Sequence, residues 1–274
     1  MSSLLPLLAR AGAPPPELTV FDEHARDPDD VETSVQVDAR VHPWRLTHYY
    51  DARGRSEAVA RVVGDRLRGL AAALSTPIPS ALDRVIDACD PAIRQIAIGI
   101  DVRARTEETR LKHYMVLSGD GRPVAERACA ALGVEPPPGA ALDRTHIVGV
   151  DLTRDGLHDV KLYFAIEPSE VARTLRDPGP WQPLLRACRA VVFQHSLLVA
   201  DKRSMHFQAG APAALSGELD RLRDSAPATV DLLAHLRAIG PSLEPWIVSF
   251  PYRDGRLERG RFNVYLQRSR RPTT

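Results

Sequence analysis

GIDVRARTEETRLKHYMVL (residues 99–117) and VGVDLTRDGLHDVKLYFAI (residues 148–166) decide the reading of this chain. Each holds two short extended runs joined by a polar turn, and in each the second run carries a lysine two positions before a tyrosine. Side chains two apart on a strand share a face, so Arg110, Lys112 and Tyr114 form one row and Lys161 and Tyr163 another. Similar hairpins recur outward from these two. Val31–Val37 pairs with Trp44–Tyr50, Gln95–Asp101 with Thr109–Leu117, and His146–Leu152 with His158–Ile166. Ala190–Val199 pairs with Ser204–Gln208, and Trp246–Tyr252 with Arg261–Gln267, where Asn263 precedes Tyr265. In the first hairpin Arg45, Thr47 and Tyr49 line up against Glu32, Ser34 and Gln36.

Helical periodicity fills the gaps, over Ser56–Leu74, Ser80–Cys89, Val124–Leu132, Ser169–Leu175, Pro183–Arg189, Ala213–Ser225 and Thr229–Ile239. About ten antiparallel strands in one sheet expose their edges or close into a barrel. The expectation is an α+β fold, a barrel of about ten antiparallel strands surrounded by helices. The chain reads as one domain over residues 1–274, with 1–18 and 269–274 as flexible ends. Helices outside demand an apolar outer face, which turns the polar rows into the lumen. For any single strand a solvated charged face is the simpler reading, since charged residues are mostly exposed; the repetition favours the lumen.

The 274 residues carry 36 Lys+Arg against 35 Asp+Glu, a formal charge of +1, so no global basic excess exists to hold nucleic acid or an anionic membrane. Cys89, Cys129 and Cys188 are too scattered for a disulfide framework or a CxxC metal site, which places the chain in a reduced, cytoplasmic compartment. Leu4–Ala13 is short, broken by Pro6 and lacks a basic lead, and nothing later approaches transmembrane length. No HExxH, Walker A or GxSxG motif occurs, and Asp29-Asp30 lacks the second aspartate pair of a DDxxD metal site. Of the 36 basic residues only Lys112, Lys161 and Lys202 are lysines, and two of these three sit in the polar rows.

A lumen lined by Arg45, Arg110, Lys112 and Lys161 suits a strongly anionic ligand. Interleaved tyrosines suit something cationic and apolar, because a ring face stabilises a desolvated cation by about 2 kcal/mol or more. Ionisation of an allylic diphosphate needs both at once, a held diphosphate and a shielded carbocation.

On these rows, with FDEH at residues 21–24, VETSVQV at 31–37, WRLTHYYD at 44–51 and RFNVYLQRS at 261–269, the sequence resembles the ABBA-type aromatic prenyltransferases. Within that group it is most similar to the cyanobactin-type peptide prenyltransferases. The resemblance covers about Phe21 to Arg268. It implies that Glu32 takes the acceptor's proton, that Arg45, Lys112 and Lys161 bind diphosphate, and that Asn263 stands where a basic residue is more usual. It implies that Tyr114, Tyr163 and Tyr265 shield the cation. His206 falls on an inward strand within reach of diphosphate or acceptor, and Phe193 and Trp246 fall where the family sets prenyl-pocket depth. Their bulk favours a five-carbon donor over a ten-carbon one. The implied donor is dimethylallyl or geranyl diphosphate, with Mg2+ held through the diphosphate oxygens and by no protein ligand. The implied acceptor is a ribosomal peptide, and the protein is expected to be a monomer. Two other readings stay open: a small indole or phenol acceptor, and a barrel that binds a peptide or isoprenoid diphosphate without chemistry.

Overall fold

The computed structural model describes residues 3–86, 90–137, 142–222, 228–240 and 242–268. In chain order its elements are α1 (Leu5–Leu8), α2 (Pro16–His24), β1 (Asp30–Val37), β2 (Val41–Asp51), α3 (Ser56–Ala73), α4 (Ser80–Ile86), β3 (Ile93–Asp101), β4 (Arg110–Leu117) and α5 (Arg122–Leu132). Then come β5 (Thr145–Thr153), β6 (Gly156–Ile166), α6 (Pro168–Thr174), α7 (Gln182–Ala187), β7 (Cys188–Ser196), β8 (Arg203–Ala209), α8 (Pro212–Leu222), α9 (Thr229–Ile239), β9 (Leu243–Arg253), β10 (Arg256–Leu257) and β11 (Phe262–Arg268). Every strand runs antiparallel to its neighbours in the order β9-β11-β1-β2-β3-β4-β5-β6-β7-β8, and β8 pairs back onto β9 to close the barrel. Short β10 only extends β9. The expected ends of two helices, at Cys89 and at residues 223–225, lie outside the described residues, as does the expected flexible end 269–274.

Strict alternation builds the wall. Ile96, Ile98 and Ile100 of β3, Val148, Val150 and Leu152 of β5, and Phe262, Val264 and Leu266 of β11 are buried on the outer face under the helices. Helix α3 answers with Ala60, Val63, Leu67, Leu70 and Ala71, spaced three, four and one apart so that they fall on one stripe. The N-terminal segment joins this layer. Leu4, Leu8 and Leu18 are fully buried and Arg268 donates to the Ser3 carbonyl at 3.1 Å, so residues 3–18 are packed where a flexible end was expected. Among the described residues no helix is long and apolar enough to cross a membrane.

Inside, bulky and small residues alternate around the circle. Rings project from every second strand: Tyr49 on β2, Tyr114 on β4, Tyr163 on β6, His206 on β8 and Tyr265 on β11. Four of the five rings have a small cross-strand partner on one or both sides: Ala97 opposite Tyr49 and Tyr114, Gly149 opposite Tyr114, Ser249 opposite His206 and Ser34 opposite Tyr265, whereas Tyr163 stands between Ile147 and Gln194. This is how a small barrel fits wide side chains into one layer.

Four of the strands between, β3, β5, β7 and β9, start with an irregularity. Each carries one residue more than its partner, at Arg94, His146, Arg189 and Trp246 respectively. Such bulges re-aim side chains, and all four extra residues line the interior cavity. A further bulge on β2 absorbs Pro43, which explains a proline inside a strand. Past its bulge β7 directs Ala190, Val192 and Gln194 inward. Phe193, expected in the pocket, therefore points outward and packs edge-on against Tyr252 at 5.6 Å.

The Gly149 position tests the alternation. A Cβ there would sit 2.8 and 2.9 Å from two Tyr114 ring carbons and 3.3 Å from Tyr163. Gly149→Ala is expected to cost about 1–3 kcal/mol in urea unfolding, as overpacking does. Gly217→Ala, on helix α8 with nothing within 4 Å, should be neutral or stabilising.

Candidate active site

The barrel encloses a cavity of about 450 Å³, open at the end where the four bulges lie. Its floor is ionic. Arg45 on β2, Asp101 on β3, Lys112 on β4, Asp151 on β5 and Lys161 on β6 alternate in sign across five successive strands. Arg45 Nε lies 3.4 Å from Asp101, Lys112 Nζ lies 3.7 Å from Asp101 and 3.9 Å from Asp151, and Lys161 is tightly paired with Asp151. Arg103 donates to Asp101 at 2.7 Å, and Lys202 to Asp159 at 2.8 Å. Burial opposes ionisation of Asp101, but Arg45, Lys112 and Arg103 together outweigh it and hold the carboxyl well below its usual range. Asp151 behaves likewise between Lys112 and Lys161.

Lys112 is the exception. It is buried and lines the cavity, and both its aspartates stand beyond hydrogen-bonding distance. Burial, with Lys161 and Arg45 beside it, pulls its ammonium well below the ordinary lysine range. An anion entering the cavity would be the missing partner of this group.

Of the residues expected on the floor, Arg45 and Lys112 line the cavity while Lys161, Arg110 and Asn263 do not. Lys161 sits behind, committed to Asp151. Arg110 lies one pleat below Lys112, opposite Asp101. Asn263 accepts from Arg45 at 2.6 Å and donates to Ser249 at 3.0 Å, so it aims the guanidinium.

Above the floor lies the aromatic belt. Ring centroids are 6.2 Å apart for Tyr114–Tyr163, 5.7 Å for Tyr163–His206 and 5.6 Å for His206–Tyr265. Burial pushes the Tyr49, Tyr114 and Tyr163 phenols well up, so they stay neutral. Burial, then Arg45 and Lys161, drives His206 down to about 3, so its ring is uncharged at neutral pH. It hydrogen-bonds Ser204 at 3.0 Å. The belt thus offers five uncharged ring faces or edges.

Beside Tyr49 of the belt, Glu32 projects from β1, opposite Thr47. Tyr49 donates to its Oε1 at 3.4 Å, and the indole N–H of Trp246, which meets no acceptor within bonding distance, also favours the anion. Burial dominates and pushes Glu32 up to about 8, against the pull of Arg45 and Tyr49. It is a carboxylate poised to take a proton near neutrality.

Sequence reasoning passed over Tyr49 as a belt member and the aspartates of the floor. A repeat marked the aspartates. Gly99-Ile100-Asp101 and Gly149-Val150-Asp151 precede the two lysine–tyrosine rows, each glycine lies opposite the lysine, and each aspartate anchors it.

The floor does not fit a protein-held metal. Among the described residues no three His, Cys, Asp or Glu side chains gather around one point. The Oδ1 atoms of Asp101 and Asp151 lack hydrogen-bond partners, but they lie amid Arg45, Lys112 and Lys161.

The sequence matches no family model and no curated protein at a significant level. Solved structures do match. A 6-dimethylallyl tryptophan synthase superposes with a TM-score of 0.65 at 18% identity, covering 96% of this chain and 94% of that one. The 5-dimethylallyltryptophan synthase from Streptomyces coelicolor gives 0.62 at 13% identity, covering 96% and 95%. NotF in complex with brevianamide F and DMSPP gives 0.51 at 11%, covering 87% and 80%. At these identities the likeness establishes the fold, the ABBA-type barrel.

Glu32 makes the stability of the barrel depend on pH. Its folded pKa of about 8 stands above the ordinary carboxylate value. Its contribution is therefore fully present at acid pH and is lost as pH rises through about 8. Glu32→Gln, which cannot ionise, should be more stable than the parent at pH 9 by on the order of 3 kcal/mol and equal to it near pH 4. Parallel urea titrations across that range check this, and a constant difference between the two proteins would remove the assignment.

Proposed function

We propose that the chain is a prenyltransferase, moving a short allylic group from its diphosphate onto an aromatic acceptor. The observation that carries the reading is the layering of the cavity: a cationic floor where Lys112 faces the cavity with no acceptor within hydrogen-bonding distance, a neutral aromatic belt one residue pair farther along the strands, and a carboxylate of raised pKa beside Tyr49. Arg45 and Lys112 take the diphosphate of dimethylallyl or geranyl diphosphate. Lys161 and Asn263 support them from behind. Breaking the carbon–oxygen bond leaves the electron pair on diphosphate and an allyl cation within the belt of Tyr49, Tyr114, Tyr163, His206 and Tyr265. An acceptor atom forms the new bond, and the proton it sheds passes to Glu32. Magnesium would enter with the donor, neutralising charge on the diphosphate's own oxygens.

Two features support an aromatic acceptor. Trp246 lines the cavity beside Glu32, and two of the similar structures are named for tryptophan. A cavity of about 450 Å³ is in the range of small-molecule sites. Its rim residues Arg94, Glu167 and Arg189 are exposed, so an acceptor larger than the cavity can project outward, which keeps a peptide side chain as a second reading. A binder without chemistry has no use for Glu32.

The first test needs no acceptor. Dimethylallyl and geranyl S-thiolodiphosphates, which do not ionise, should raise Tm by mass action, with paired samples showing what magnesium adds. No shift with either, in magnesium or without, would sink the donor site. With a working acceptor, Glu32→Gln should cut kcat by 10²–10⁴-fold and spare donor affinity. Lys112→Ala should instead weaken donor binding. The kcat/KM profile should rise with pH through about 8, and Tyr49→Phe, which removes a bond to the anion, should move that limb higher.

A further inference from the structure

Every lysine of the chain belongs to one line of charge that ends at the cavity. Two fully buried aspartates, Asp151 on β5 and Asp159 on β6, stand directly opposite each other across the strand pair. Like charges so placed repel, and a buried carboxylate is tolerated only beside a cation. Each of the two has one lysine. Lys202, in the turn between β7 and β8, donates to Asp159 at 2.8 Å, and Ser196 donates to the other oxygen of the same carboxylate. Lys161 is tightly paired with Asp151.

Lys161 stands two residues beyond Asp159 on the same face of β6, and both aspartates act on its ammonium. Either acid can hold it, and Lys202 decides which one does by occupying Asp159. Lys112 is next in the line. It lies 3.9 Å from Asp151, which Lys161 already holds, and 3.7 Å from Asp101, which Arg103 holds at 2.7 Å and Arg45 approaches at 3.4 Å. It is the lysine left over, and of the three it alone lines the cavity. An ammonium is a compact charge that one carboxylate can hold, whereas a guanidinium spreads over a wide fork. Gly99 and Gly149 stand opposite Lys112 and Lys161 and leave room for the two stems.

We propose that Lys161 and Lys202 are positioning residues for the donor: each occupies one buried aspartate, so that Lys112 is left to hold the diphosphate. This rests on the prenyltransferase reading and deepens its donor site. Without Lys161, Asp151 would turn to Lys112, the other lysine beside it, and draw the amine out of the cavity. Loss of Lys202 would act at one remove. Asp159 would claim Lys161, and Asp151, released, would claim Lys112. Lys202 does not line the cavity, so its effect on the donor can pass only along this line.

Calorimetry on the full chain reads the affinity for dimethylallyl S-thiolodiphosphate. Lys161→Met should weaken it about tenfold or more, and adding Asp151→Asn should bring it back to within about threefold of the parent. A double variant as weak as Lys161→Met would show that Lys161 grips the diphosphate itself and would overturn the proposal, as would Lys161→Met binding like the parent. Lys202, half-buried in a turn, keeps the proposal testable where the floor variants do not fold. Lys202→Gln should weaken binding about threefold or more, Lys202→Arg should retain it, and Asp159→Asn should rescue Lys202→Gln. Unchanged affinity in Lys202→Gln, or a loss that Asp159→Asn does not reverse, would also overturn it. Failure of the thiolodiphosphate to bind the parent is a separate result, against the donor site itself.

Discussion

Burying Arg45, Asp101, Lys112, Asp151 and Lys161 on one barrel floor is tolerable only because their signs alternate from strand to strand. A lone buried charge costs several kcal/mol, and an ion pair offsets that cost only with close geometry. The ladder therefore demands one register across β2 to β6. A slip of one residue would turn lysine and aspartate out under the helices and bring Ile98, Ile100 and Val150 into the lumen. The same register carries the tyrosines two residues farther along and the glycines opposite the lysines. Floor, belt and wall are thus consequences of one pairing.

The parts of this arrangement that follow period-two alternation were legible in the sequence. Lys112 and Tyr114, Lys161 and Tyr163, and Asn263 and Tyr265 could be placed on one face because nothing interrupts the pleat between them. The acids of the ladder were obscured because Gly-Ile-Asp and Gly-Val-Asp end apolar runs and read as ordinary core strand. Phe193 failed for a different reason. The bulge at Arg189 sets the phase of β7, and a single inserted residue leaves no mark in composition or periodicity. Lys161 and Arg110 lie on the expected face, but facing inward is not the same as reaching the cavity, and Asp151 claims the lysine first.

The cavity separates functions by charge state as well as by height. Below, Asp101 and Asp151 stay ionised because cations crowd them, and Arg45 stays charged because acids do. Above, burial keeps the phenols and His206 neutral. Had His206 been protonated it would repel any cation formed beside it. The belt carries no charge of its own to repel a cation because burial, reinforced by Arg45 and Lys161, keeps His206 neutral.

That separation has a length. Lys112 and Tyr114 are two residues apart on one strand, about 7 Å at the rise of an extended chain. In the proposed reaction a diphosphate on the floor and an allyl cation in the belt would be kept apart by this one pleat. The attraction that would return the cation to its leaving group falls with distance, and the cations that hold the anion also screen it. Glu32 enters from β1 opposite Thr47, between the levels of Arg45 and Tyr49 on β2, and hydrogen-bonds Tyr49. In the proposed reaction a proton accepted there would form the carboxyl, the state that burial already favours. In the proposed reaction one repeat of the pleat would supply the charge separation before bond formation, and Glu32 on the neighbouring strand the proton sink after it.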